Sequence, residues 1–324
     1  MRSLPTYNAM NYIVLDLEWN QSPKGKDGEL SQIPFEIIEI GAIKLDESGN
    51  IIDSFNKLIK PVVYKELHHI IKDITGFTMK ELNKGESFPT VAQAFINWCG
   101  DEYKFCTWGS LDITELFRNM RYHHIPLPKP PIFYFDLQRI FNIQFENGDR
   151  NTRSLEYAVD YLHIKTDEHF HRAYYDALYT AYVFQKLNID LINKNYSIDY
   201  YQVPTTRSEE ISVVYDTHSQ FVSRSFDSKN DAMSDKNVTS TICYKCGKKA
   251  KKKIRWFSDN AKTYYSLSYC AEHGFLAGKI RIRRFSGEHY FVIKTLMQTN
   301  EEGVNKIKNR QLEIRAKRRK KRHT

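Results

Sequence analysis

The sequence predicts an α/β fold, a mixed sheet flanked by helices, with a small cysteine and histidine module and a basic tail behind it. Three observations predict it: a strand meander near the N-terminus, helical stretches alternating with two further short strands, and four cysteine and histidine residues in two close pairs. Residues 12–18 read as a central strand, and Ile37–Leu45 with Ile51–Ile59 as its partners across a turn at residues 47–50. Helical periodicity follows over Thr90–Trp98, Ile113–Tyr122, Leu155–Leu162 and Ala173–Ile192. The short runs Lys104–Thr107 and Ile132–Phe135 supply two more strands between them.

From about residue 199 to 240 periodicity fades and Ser, Thr, Asp, Asn and Lys dominate, which predicts a linker. The expected organisation is therefore an α/β domain over 1–198, a linker over 199–240, a ribbon-like module over 241–297 and a basic tail over 298–324. Within the tail, Arg315–Arg322 is expected to be disordered when free.

Charge is divided unevenly between these parts. Residues 242–324 hold 23 Lys and Arg against 6 Asp and Glu, a balance of +17. With 48 and 39 in the whole chain, residues 1–241 keep 25 against 33, or −8. An acidic body with a basic appendage suits an enzyme that works through carboxylates and recruits a polyanion elsewhere. The alternative is that the lysines only keep the C-terminal part soluble. No run of about 18 apolar residues is present to cross a bilayer, and residues 1–11 lack the apolar stretch of a signal peptide, so a cytoplasmic protein is expected. Cys99 and Cys106 read as ordinary buried thiols.

Asp16 and Glu18 lie two apart in a strand and so leave the same face, about 6.5 Å apart along it. Burying two carboxylates in an apolar strand is costly unless cations compensate them, which favours a metal site over solvated acids at a strand end. Asp112 opens an amphipathic helix directly after a strand, where a carboxylate serves as a helix-terminal residue or a metal ligand. His171 and Asp176 are five apart at the start of a helix; five helical residues turn the chain by about 500°, so they converge only if His171 lies in the preceding loop.

In this order, Asp16-x-Glu18, Asp112 and His171-x4-Asp176 resemble the DEDDh 3′→5′ exonucleases of the DnaQ-like group on a ribonuclease-H-like fold. The resemblance covers about residues 10–192. It is closest to the Eri/KapD-like branch: residues 35–42 are similar to its second strand, Lys60-Pro61 to its post-strand turn, residues 74–77 to its Leu-Thr-Gly-Ile element and residues 88–91 to its Phe-Pro-x-Val helix. The resemblance implies that Asp16, Glu18, Asp112 and Asp176 hold two Mg²⁺ or Mn²⁺ ions about 4 Å apart. It implies His171 as general base, with Trp19, Thr75, Gly76 and Phe77 around the terminal nucleotide, one of the two aromatics packing in the core. By the same spacing Asp136, the decoy for the third acid, is a helix cap. His68, His69, His123 and His124 match no motif and are expected at the surface or in loops.

Cys243-x2-Cys246, 23 residues, then Cys270-x2-His273 has the spacing of two knuckles closing one structural Zn²⁺ site. Between and after the knuckles lie Lys248, Lys249, Lys251–Lys253, Arg255, Lys279, Arg281, Arg283 and Arg284, with Trp256 and Tyr264. Cations with aromatics predict a surface for single-stranded nucleic acid, the alternative being that the module docks on the acidic body. The function expected is release of 5′-mononucleotides from the 3′ end of single-stranded or overhanging RNA, with DNA also cut. The rivals are a DNA repair or proofreading exonuclease and a catalytically silent regulatory protein on the same fold. Oligomeric state is left open.

Overall fold

A computed structural model describes residues 10–146, 152–166, 170–285 and 287–320. The chain forms two compact units, residues 1–201 and 202–324.

In the first unit β1 (Asn11–Gln21), β2 (Phe35–Leu45) and β3 (Ile51–Leu58) form the expected antiparallel meander. Two short helices, α1 (His69–Thr75) and α2 (Met79–Leu82), and the longer α3 (Phe88–Cys99) lead into β4 (Tyr103–Thr107). Then come α4 (Leu111–Tyr122), β5 (Phe133–Asp136), α5 (Leu137–Phe145), α6 (Leu155–Tyr161), α7 (Ala173–Phe184), α8 (Ile189–Lys194) and β6 (Ser197–Ile198). The sheet order is β3-β2-β1-β4-β5-β6, with β4 and β5 parallel to β1 and β6 antiparallel. Leu15 and Leu17 point away from the acids into a core with Val91, Phe95, Ile113, Leu116 and Phe117 of α3 and α4.

Two expectations change here. The single helix expected over Ala173–Ile192 breaks after Phe184, because Asn188 turns its side chain onto the N–H groups of Asp190 and Leu191 and starts a new helix. The first unit also runs past 198: Asp199 N–H bonds Ile132 C=O at 2.9 Å, and its carboxylate reaches Tyr201 N–H at 3.0 Å.

The second unit is built on another six-stranded sheet, ordered β7-β8-β12-β11-β10-β9. Its elements are β7 (Ile211–Val214), β8 (His218–Val222), α9 (Lys229–Ser234), α10 (Lys236–Thr239), β9 (Lys251–Asn260), β10 (Thr263–Cys270), β11 (Gly274–Phe285), β12 (His289–Gln298) and α11 (Glu301–Lys320). The expected linker over 199–240 is thus corrected: it carries two strands and two helices of this unit. β8 pairs with β12, and Ala232 and Val238 of α9 and α10 are buried against Ile280, Ile282 and Val292. The polar residues that concealed it are caps and pairs: Asp235 caps α10 and accepts from Arg224 and Arg207. The expected module over 241–297 is embedded in that sheet. The expected disordered tail is likewise corrected, since α11 continues to Lys320, anchored by Val304 and Ile307 against Leu267; residues 321–324 lie outside the described residues. Among the described residues, no helix is long and apolar enough to cross a membrane.

Candidate active site and metal centre

The pairing of β1 with β2 places Asp16 opposite Gly41 and Glu18 opposite Glu39, so all four positions share one face of the sheet. Across that face comes the start of α7. Gly41 makes the approach possible, for a Cβ there would lie 2.1 Å from the Ala173 carbonyl carbon and 2.2 Å from Tyr174 N. Glu39, wholly buried, fixes the same junction: its carboxylate accepts from Ala173 N–H at 3.0 Å and from Arg172 at 3.1 and 3.3 Å. The Arg172 guanidinium in turn lies 4.5 Å from the centre of the Phe77 ring.

His171 precedes the helix in a left-handed conformation (φ 72°), the loop placement that convergence with Asp176 requires. Its N–H donates to Asp176 Oδ2 at 2.9 Å, while Asp176 Oδ1 is buried with no hydrogen-bond partner. Glu18, His171 and Asp176 present ligand atoms within 4.8 Å of one another. Asp16 and Asp112 are not members of that triplet but belong to the same electrostatic cluster. Burial, then Asp112, Asp176, Glu18 and Glu39, hold the Asp16 carboxyl well above its ordinary range. Burial and then Asp176, Glu39 and Asp112 push Glu18 up to about 8. Burial lifts Asp112 to about 7 against hydrogen bonds from its own N–H and that of Leu17, and lifts Asp176 to about 6 against the His171 N–H. Crowded acids of this kind and an orphaned buried oxygen match hard divalent cations.

Asp136 caps α5, accepting from Arg139 N–H at 3.1 Å. Of the nucleotide candidates, Gly76 is the left-handed C-cap of α1 (φ 69°), and the Thr75 hydroxyl donates to Ile71 C=O at 2.7 Å. Phe77 is 3% exposed, packed with Ile38 and Leu82, so it is the core aromatic of the pair; Trp19 is half-buried beside Phe35. Sequence reasoning missed Glu39, Arg172 and Asn20. Asn20 is buried and donates to the carbonyls of Tyr64 and Glu66 while accepting from His68 N–H, which ties β1 to the loop before α1. His68 lies in the loop before α1, as expected, but it is buried there, its Nδ1 accepting from Ile70 N–H as the cap of α1. A polar residue of apolar surroundings, as in Phe35–Ala42, was the available signal for Glu39.

In the second unit Cys243, Cys246, Cys270 and His273 gather within 4.8 Å. The separations Cys246–Cys270 3.6 Å, Cys243–His273 3.7 Å and Cys270–His273 3.8 Å agree with the edges of a tetrahedron whose Zn–S bonds are about 2.3 Å. Gly247 (φ 71°) and Gly274 (φ 75°) turn the chain after each knuckle. Trp256 and Tyr264, expected as stacking surfaces, instead pack partly buried against the core of Ile280 and Val238, and Trp256 Nε1 donates to Thr239 C=O at 3.0 Å. Arg281 and Arg283 are exposed, while Ile280 and Ile282, which alternate with them along the strand, are buried.

The chain is similar to several known proteins. A probable 3′→5′ exonuclease, KapD of Bacillus subtilis, is 29% identical over 181 residues, 54% of this chain and 82% of KapD. The PolC-type DNA polymerase III of the same organism is 29% identical over 187 residues, 56% of this chain but 12% of the polymerase. Among solved structures, the nuclease domain of 3′hExo, a DEDDh family member bound to rAMP, aligns with a TM-score of 0.49 at 19% identity, over 61% of this chain and 98% of that domain. The model of the family described as exonuclease (RNase_T) matches residues 13–184, more than half of the chain. With that match over the unit that carries Asp16, Glu18, Asp112, His171 and Asp176, the chain belongs to the exonuclease (RNase_T) family, whose members similar to it include a probable 3′→5′ exonuclease.

Proposed function

We propose that the protein removes 5′-mononucleotides one at a time from the 3′ end of single-stranded or overhanging RNA, and cuts DNA more slowly. The observation that carries the reading is the meeting of Glu18, His171 and Asp176 around the unpartnered Asp176 Oδ1. Asp16, Glu18, Asp112 and Asp176 would hold a pair of Mg²⁺ or Mn²⁺ ions, which supply charge neutralisation at the attacking and leaving oxygens of the phosphodiester. His171, with its side chain 49% exposed at the edge of the cluster, would accept the proton of an attacking water. Arg172 offsets Glu39, leaving the other acids to the cations. Similarity to rat 3′→5′ exoribonuclease 1, 30% identical over 98 residues and 28% of each chain, supports RNA as substrate. Cys243, Cys246, Cys270 and His273 would hold one structural Zn²⁺.

The likeness to PolC favours a second reading, a DNA proofreading exonuclease. Incubating the purified protein with 5′-labelled RNA and DNA, single- and double-stranded, with Mg²⁺, Mn²⁺ or neither, separates the two. A ladder shortening from the 3′ end, faster on RNA, is expected; preference for DNA establishes the second reading. Metal-dependent cleavage of neither would leave a silent regulatory protein on this fold.

A further inference from the structure

Strand β11 outruns one of its neighbours. β10 begins at Thr263, opposite Arg281, whereas β11 continues to Phe285 with β12 beside it up to His289. Among the described residues, the end of β11 therefore has an open edge. Ile282 N–H closes the corner onto Lys262 C=O at 2.8 Å, and at this notch lies a groove of about 640 Å³. Lys229 from α9, Lys262 from the turn before β10, Arg281, Arg283 and Arg284 from β11 and Tyr290 from β12 line it; none of its described lining residues is acidic. Arg284 and Tyr290 are cross-strand partners on one face of the sheet, Arg281 and Arg283 leave the other, and so the cations stand on both sides of the notch.

Two properties of this groove favour an extended anion as its occupant. Some cations of the unit have acids: Arg224 pairs with Glu210 and Asp235, Arg207 with Asp235, Lys248 with Glu272 and Arg310 with Asp259. Among the described residues, none of the five cations of the groove makes such a pair. Their mutual repulsion is uncompensated from within, and a concave wall of one sign concentrates counter-ions of the other. The volume is also many times the roughly 30 Å³ share of a water molecule, which exceeds a lone phosphate and suits a run of several linked ones.

We propose that the groove binds the phosphate backbone of single-stranded nucleic acid, independently of base sequence; the choice of this polyanion rests on the nuclease reading of the first unit. A flexible single strand can enter a notch walled on both sides, whereas a duplex carries its phosphates on the outside of a stiff rod. With Lys229 Nζ 5.4 Å from the Tyr290 ring centre, that ring serves to hold a cation.

The test uses the full chain and a 5′-fluorescein 20-mer RNA, its anisotropy followed without Mg²⁺ or Mn²⁺ over a range of salt. R281E/R283E/R284E should weaken binding more than tenfold and lower the log–log salt slope by about 2, at about 0.7 per phosphate contact. The charge-keeping R281K/R283K/R284K should bind within about threefold of the parent. Both variants should hydrolyse a labelled dinucleotide at the parent rate. Unchanged affinity and slope in a charge-reversed variant with parental circular dichroism and Tm would overturn the proposal. So would inorganic pyrophosphate that binds as tightly as the 20-mer, which would make the groove a small-anion site. A parent that hydrolyses neither RNA nor DNA would defeat the nuclease reading instead, and the binding measurement would still decide the groove.

Discussion

Glu18, Asp112 and Asp176, at about 8, 7 and 6, hold protons that the same carboxyls release near pH 4 in an unfolded chain. Between about pH 4 and 8 the folded protein binds more protons than the unfolded one, so its stability falls as pH rises through that window. In buffer without Mg²⁺ or Mn²⁺, Tm should therefore decline from pH 5 to pH 8, and Mn²⁺ should restore more of it at pH 8 than at pH 5. Glu18→Gln should flatten the decline; thermal scans in which Tm ignores both pH and the substitution would contradict the acidic cluster. His171 gives a second residue-level expectation. His171→Ala should lower kcat by about 10²- to 10⁴-fold, the usual worth of a general base, with little change in the Mn²⁺ concentration for half-maximal rate. A parallel loss of Mn²⁺ affinity would make the imidazole a ligand, which its place in the triplet also permits.

Among the elements, the junction of β2 with α7 decides whether these side chains meet at all. Gly41→Ala would thrust a methyl carbon to 2.1 Å from the Ala173 carbonyl carbon, backbone that cannot swing aside. We expect destabilisation of about 3 kcal/mol and loss of exonuclease activity beyond what the stability change explains; a variant with parental Tm and rate would show the junction to be pliant. The elements also show what could be read in advance. β1 to β5, α3, α4 and the start of α7 were legible because apolar residues recur at the period of each element, and Asp16 and Glu18 stood out as acids inside such a run. β7 and β8 were not, being four and five residues long with polar or capping neighbours. α11 was hidden by its charge, since Val304 and Ile307 are its buried residues among the described ones. The apolar run around Glu39 marked it locally, but its role was concealed because its partner Arg172 lies 133 residues away, and no local pattern announces a pair of that span.

At the scale of the whole chain, the boundary at Tyr201 replaces the one expected near residue 241 and changes how the protein should be cut. A fragment ending at Tyr201 should be soluble and should hydrolyse dinucleotides at close to the parent rate, losing affinity only for long strands. One ending at residue 241 keeps β7 and β8 but discards β12, against which β8 is zipped from Met297–His218 to Ile293–Val222, and it should aggregate through that bared edge. Light scattering and dinucleotide hydrolysis on the two fragments decide it; identical behaviour would argue against the boundary. If Cys243, Cys246, Cys270 and His273 hold the proposed zinc, chelating it should likewise unfold part or all of the second unit, read as loss of β-sheet circular dichroism, because the two knuckles have little core of their own. The same β8–β12 pairing sets an order of events during synthesis. The opening strands of the second unit cannot find their neighbour until its last strand has left the ribosome, whereas the described elements of the first unit have all emerged by Tyr201. The nuclease can thus be complete while its companion is still an unfinished, strongly basic thread.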